Sequence, residues 1–241
     1  MALLLRFLCR AAGFASVILG AMEMVLSRGL NRVIAPWIAK EGLPYNPKMH
    51  LDKLEDRDRL YIGINKGLTV LFVYHLMLAA WRLPSIAWSW SELRLANTAG
   101  SLALFFLSYD LFYASFHRLL HCRGIYKYVH KHHHRQISPT RGNYDAINVH
   151  PFEFFVGEYL HLLVVAIVPA HVVAVGLFVA VGGLLASLNH TRLPFRIPLA
   201  IYDVRNHDVH HRWPDNNFGQ YIMLWDRVFG WYRDYEPPKV A

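Results

Sequence analysis

Residues 159–191 contain no formally charged side chain, a run of 33 positions. As one helix this run would measure roughly 50 Å. That is too long for a single pass through about 30 Å of hydrocarbon and too short for two full passes with a turn. Pro169, with polar His171 after it, breaks the run near its first third. The pattern predicts two short helices in a hairpin that leaves and returns on one side of a membrane. Two other uncharged stretches, 67–81 and 95–109, reach about 20 residues when extended past Arg82 and through Asp110 to Phe116. Pro84 kinks or ends the first of them. Residues 2–26 are apolar but carry Arg6, Arg10 and Glu23, which fits an anchor or interfacial helix better than a cleaved signal, because the apolar run starts before the arginines. Residues 27–66, with Pro36, Pro44 and Pro47, read as a loop with short helices.

Apolar residues make up 54% of the 241 and charged residues 17%, greasy for a soluble chain. The length suits one compact unit, with residues 1–100 expected as membrane helices and a cytosolic loop, and 101–241 as a catalytic part. Cys9 and Cys122 supply neither a disulfide framework nor a Cys-x-x-Cys pair, which points to a reducing, cytosol-facing setting. The net charge of +8 is spread between the uncharged stretches rather than gathered in one block, favouring anionic lipid headgroups over nucleic acid as the counter-surface. Residues 27–66 hold eight Lys and Arg against five acids, and 117–158 hold six against three. The positive-inside bias places both segments and the carboxy-terminal tail in the cytosol. The expected fold class is all-α: an integral membrane helical bundle of about four inserted elements, with a cytosolic His-rich metal-binding cap.

Fifteen histidines are present, six of them between His117 and His134 and three between His207 and His211. His117-x-x-x-His121 sits at the end of a predicted span, where residues four apart share a helix face and can reach one metal. His130-x-x-His133-His134 and His207-x-x-His210-His211 repeat one spacing. On a helix the three positions form a triangle, so each box can feed two neighbouring metals. With His190 the candidate ligands number nine. Structural zinc needs only four ligands, whereas nine nitrogens serve two ions with room for O2, which suits iron; zinc could still occupy the site in a purified sample. Asp110, two turns before His117, is a candidate for orienting a ligating imidazole, as are His150 and Asp208.

The other histidines read more plainly. His75, His161 and His171 are lone residues on apolar stretches, His50 is a loop residue, and His132 faces solvent. Glu158-x-x-His161 matches half of the carboxylate–histidine motif of soluble diiron bundles. Tyr109, Phe112, Tyr113, Phe116, Tyr126 and Tyr128 either line a lipid slot or pack as ordinary interfacial aromatics. No G-x-S-x-G, P-loop, G-x-G-x-x-G or H-E-x-x-H motif occurs, so hydrolase, nucleotide and zinc-protease readings lack their residues.

The ordered set from Asp110-x-x-Tyr113-x-x-x-His117-Arg118-x-x-His121 to Trp225-Asp226-Arg227-x-Phe229-Gly230 resembles the fatty acid hydroxylase / sterol desaturase superfamily. Between these ends lie the second box, His150-Pro151-x-Glu153, His190, His207-Asp208-x-His210-His211 and Asn217-Phe218-Gly219. The resemblance covers about half of the chain and departs from the usual pattern at Trp231. It implies two iron ions, O2 as co-substrate, a lipid or sterol substrate, and an external electron carrier with its reductase, since no haem-binding carrier is fused. It also implies a multi-pass membrane location, the endoplasmic reticulum in a eukaryote, and hydroxylation or desaturation of a C–H bond. The His-Asp-x-His-His form looks closer to the sterol branch. The competing reading is a non-catalytic zinc- or lipid-binding membrane protein on the same scaffold.

Overall fold

The computed structural model describes residues 20–21, 24–44, 53–199 and 201–237. Most of the leading segment 2–26, and His50, lie outside these residues. A π-helical turn, Met24–Gly29, leads into α1, Leu30–Glu41, one of the short helices expected in 27–66, and it runs on across Pro36.

Helix α2 spans Asp56–Arg82 and begins eleven residues before the uncharged stretch. The reason is local. Glu55 N donates to Asp58 Oδ2 at 2.7 Å in a reciprocal capping box, and Asp56 and Asp58 sit where the helix dipole favours anions. An uncharged run marks apolar depth, and a capped charged turn can precede it. The helix stops at Arg82 because Leu83, ahead of Pro84, is held extended.

Helix α3, Leu95–Leu120, returns toward the level of Asp56 and is followed by the short α4, Arg123–Val129, and α5, Asn143–Ala146. The 159–191 run falls in α6, Pro151–Ile167, and α7, Val172–Leu188. At 17 residues each, or roughly 25 Å, both are shorter than about 30 Å of hydrocarbon. Pro151 opens α6 at a position that needs no N–H, and His171 caps α7 by accepting from Val173 N at 3.2 Å. Helices α8, Val204–Arg212, and α9, Leu224–Val228, complete the helical set among the described residues.

Packing joins α2 to α6, and α3 to both α6 and α7. Phe105 stacks on Phe178 at 5.0 Å in the centre, and Phe72, Val164 and Val165 are buried beside them. At the end away from the histidines, strand β1 (Ile86–Ala87) pairs in parallel with β2 (Ala170–His171), tying the α2–α3 link to the turn between α6 and α7. A second two-residue pair, β3 (Arg196–Ile197) with β4 (Tyr202–Asp203), leads into α8. Helices α2 and α3 are long and apolar enough to cross a membrane. Leu71, Leu104, Leu163, Ile167 and Leu177 point outward.

Candidate metal centre

The ends of α3, α6 and α7, together with α8 and the chain after α4, bring nine histidines to one place. His117, His121, His130, His134 and His210 form one set, and His133, His190, His207 and His211 the other. Within each set the facing ring nitrogens all lie within 4.8 Å of one another. The sets adjoin, with the His134 and His211 rings 5.1 Å apart. Each H-x-x-H-H box is divided between them. The third box lies on helix α8, where His207 and His211 share a face and His210 turns to the other set. The second box is not helical: His130 ends α4 and His133–Arg135 is a single 3₁₀ turn. His133 nevertheless turns from His130 and His134 to the other set, the same division that His210 makes on the helix.

The hydrogen bonds fix how several rings are protonated. His117 Nδ1 lies 2.8 Å from Phe218 O, and His130 Nδ1 lies 2.8 Å from Glu153 Oε1. Phe218 O only accepts, so His117 Nδ1 carries the proton and its Nε2 is a bare lone pair. Burial pushes the Glu153 carboxyl up, so His130 is fixed the same way where a bound cation keeps Glu153 ionised. Those two Nε2 atoms face each other at 3.0 Å. With Glu153 ionised, two lone pairs meet at that distance and repel unless a cation lies between them. Metal–nitrogen bonds of about 2.1 Å set at right angles put two nitrogens about 3.0 Å apart. His210 Nδ1 donates to Asn216 O at 2.7 Å and His190 Nδ1 to Ala186 O at 2.9 Å, and their Nε2 atoms lie 3.2 Å from His134 and 3.0 Å from His207. His121 Nε2 is buried with no hydrogen-bond partner among the described residues. The donor set fits metal ions, one per set.

Burial, reinforced by neighbouring imidazoles, holds His130, His133, His134, His207, His210 and His211 well below the ordinary histidine range, and His121 down to about 2. The rings stay neutral, as metal ligands must. The unfolded chain takes up protons near pH 6.5 while the folded chain does not, so protons favour unfolding. Metal-free protein should therefore be most stable above about pH 6.5 and lose stability steadily on acidification below it. Thermal melts in detergent between pH 7.5 and 5.5 measure this, and a midpoint that rises on acidification contradicts it.

Carboxylates near the histidines act on the backbone. Asp110 does not orient an imidazole. It accepts from the N–H groups of Gln220, Tyr221 and Ile222. Asp226 takes the next two, from Phe218 and Gly219, at 2.6 and 2.9 Å. Two buried acids thus gather five consecutive N–H groups of one loop, whose carbonyls at Asn216 and Phe218 meet His210 and His117. A Cβ on Gly219 would lie 2.7 Å from Asp226 Oδ2, so only glycine permits the approach.

The other two orienting candidates are also placed elsewhere. Asp208 pairs with Arg192 and, at 2.8 Å, with Arg212; Arg192 in turn binds the carbonyls of Leu43 and Pro44, clamping α8 to the chain after α1. His150 caps α6 by accepting from Phe152 N at 3.2 Å. His132, expected in solvent, lies 3.0 Å from Asp58 Oδ1 and anchors the second box to α2. The residue that does orient a ring is Glu153. It belongs to the His150-Pro151-x-Glu153 element, but nothing in its spacing reveals its partner.

A cavity of about 400 Å³ opens beside the first set. Phe72, Val73, Tyr113, Glu153, Glu158 and Val179 are among its lining residues, and the Tyr113 ring lies 5.4 Å from that of His117. Trp231 is not on this wall; it packs behind Phe218 at 5.5 Å.

The family model described as fatty acid hydroxylase matches residues 102–231. Lathosterol oxidase of Homo sapiens is 33% identical over 139 residues, covering 56% of this chain and 45% of that protein. A probable Delta(7)-sterol 5(6)-desaturase of Neurospora crassa is 34% identical over 119 residues, 49% of this chain and 34% of that one. A cholesterol 25-hydroxylase-like protein of Caenorhabditis elegans is 29% identical over 143 residues, 56% and 46%. The chain spans less than half the length of these relatives. No solved structure matches it. The matched region contains both histidine sets and the loop that orients them, and the chain belongs to the fatty acid hydroxylase family, within the superfamily that also holds the sterol desaturases.

Proposed function

We propose that this chain is a membrane-bound, O2-dependent oxidoreductase with two iron ions that hydroxylates or desaturates a C–H bond of a sterol or fatty-acyl lipid. The observation that carries the reading is the gathering of nine histidines into two adjoining sets, the facing ring nitrogens of each within 4.8 Å of one another. The nine histidines would hold the ions, five on one and four on the other. Iron, when bound, supplies the reductive activation of O2 that an unactivated C–H bond requires.

The chain's own residues do the rest. Glu153 and the carbonyls of Phe218, Asn216 and Ala186 lock the rings with Nε2 inward. The cavity beside the first set receives the lipid and keeps water from the reacting carbon. Its volume is in the range of small-molecule sites. Outward leucines and isoleucines on α3, α6 and α7, with two helices of spanning length, support burial in a bilayer.

Hydroxylation consumes O2, two electrons and two protons for each C–H converted to C–OH, with one water released. Desaturation consumes the same and releases two waters. The electrons come from outside the chain, through a carrier protein and its reductase. Arg123, Lys127 and Lys131 are exposed next to the second box and make a docking face for an acidic carrier. Arg135 is instead paired with Glu55 and Asp58, and Arg118 lies over the Phe218 ring.

The test is turnover in reconstituted membranes with a cytochrome-type carrier and its reductase, read as a lipid that gains one oxygen or loses two hydrogens. Omitting the carrier abolishes product, and reversing charge at Arg123 and Lys127 slows turnover roughly tenfold at low salt. Full turnover without any carrier refutes the external donor. Turnover that ignores the charge reversals refutes the docking face alone.

A further inference from the structure

Beyond the histidine sets, the cavity carries polar groups that the oxidation does not use. Glu153, Gly157, Glu158 and His161 of α6 all line it. Glu158 and His161 lie about 7.5 and 12 Å along the helix axis from Glu153, the residue that touches His130. The Glu158 carboxylate makes no hydrogen bond or ion pair among the described residues, although it acts electrostatically on the Tyr109 and Tyr221 phenols.

His161 Nδ1 donates to Glu158 O at 3.1 Å, which leaves Nε2 as an acceptor with no partner. Tyr221 and His161 are 3% and 7% exposed, and neither the phenol oxygen nor that Nε2 has a hydrogen bond among the described residues. The bare backbone of Gly182 makes the convergence possible: a Cβ there would lie 2.8 Å from Tyr221 Oη and 3.7 Å from His161 Nε2. Glu158, His161 and Tyr221 all line the cavity, where a ligand's polar group can meet them.

We propose that Glu158, His161 and Tyr221 form a subsite for the hydroxyl group of an alcohol-bearing lipid, which rests on the reading of the cavity as the lipid site. A hydroxyl has one proton and two lone pairs. It donates to Glu158 or His161 Nε2 and accepts from the Tyr221 phenol, satisfying groups of both kinds. The subsite holds the hydroxyl on the side of the cavity away from the histidines, so the carbon oxidised is remote from the alcohol. It thereby sets which position is presented.

The test measures binding without turnover, on iron-loaded protein in detergent, using cholesterol against its 3-methyl ether and hexadecanol against hexadecyl methyl ether. For whichever skeleton enters, wild type should prefer the free alcohol at least about tenfold. Glu158→Leu should bring that preference close to one, and Tyr221→Phe, which removes a single oxygen, should lower it several-fold. Metal analysis of the same samples should show iron content unchanged in both variants. Equal binding of alcohol and ether by wild type overturns the subsite, as does a preference that survives in Glu158→Leu. Hexadecylamine binding more tightly than hexadecanol assigns the carboxylate to a cationic lipid and also overturns it. Iron lost from wild type itself is a failure of the oxidoreductase reading, distinguishable from any of these.

Discussion

His210→Ala and His133→Ala should each strip the ion from one histidine set and lower lipid turnover by about 10²-fold or more. The two residues belong to different sets, one of five imidazoles and one of four, so metal analysis should show iron per chain falling toward half in either variant. In the double variant it should fall close to zero. His132→Ala is the control. His132 lies within the second box but bonds Asp58, and it belongs to neither set. Its loss should loosen the box without removing a donor. Wild-type iron in His210→Ala or His133→Ala contradicts the assignment of these rings as ligands.

The second large effect is expected from a residue that touches no histidine. Asp110 is fully buried and collects three backbone N–H groups of the loop that follows α8. Asp110→Ala leaves all three without a partner, at about 1–3 kcal/mol for each buried group. A net loss of about 3–5 kcal/mol is expected, read as a melting midpoint lowered by roughly 6–20 °C. The same loop supplies the Phe218 carbonyl to His117, so the surviving folded fraction should lose iron from the first set before the second. Asp110→Asn keeps one acceptor oxygen and should show a smaller shift in the same direction. An Asp110→Ala variant as stable as wild type would contradict the cradle.

The spacing of the boxes made eight of the nine histidines legible, six of them from H-x-x-H-H written twice, while His190 stands alone in the sequence. How they divide was not legible. The residue that turns away is the i+3 histidine in both boxes, although one box lies in a 3₁₀ turn and the other on a regular helix. Which set each half joins is settled by elements distant in sequence. Their place beside the boxes points Asp110 and Asp208 at imidazoles, because carboxylates near histidines commonly orient them. In the fold Asp110 gathers backbone N–H groups and Asp208 pairs with arginines, and sequence spacing cannot separate a carboxylate that faces a ring from one that faces a loop. The orienting groups include the carbonyls of Phe218, Asn216 and Ala186, which no side-chain pattern records.

Helix breaks at Pro84 and Pro169 followed from proline's own constraints. The early start of α2 did not follow from charge, because the capping pair Glu55 and Asp58 was hidden within a mixed-charge segment. Glu158-x-x-His161 stood out as half of a metal motif. Both residues line the cavity, as does Tyr221 from a loop 60 residues further on.

The measurement that bears most directly on the two-metal reading is the stoichiometry of iron bound by the wild-type chain, loaded without oxygen and analysed for metal and for its coordinating atoms by X-ray absorption. Two iron ions per chain, both in nitrogen-rich shells that fit histidine, are predicted. A single ion, or a full complement of zinc with no iron taken up and no O2 consumed on reduction, would contradict it.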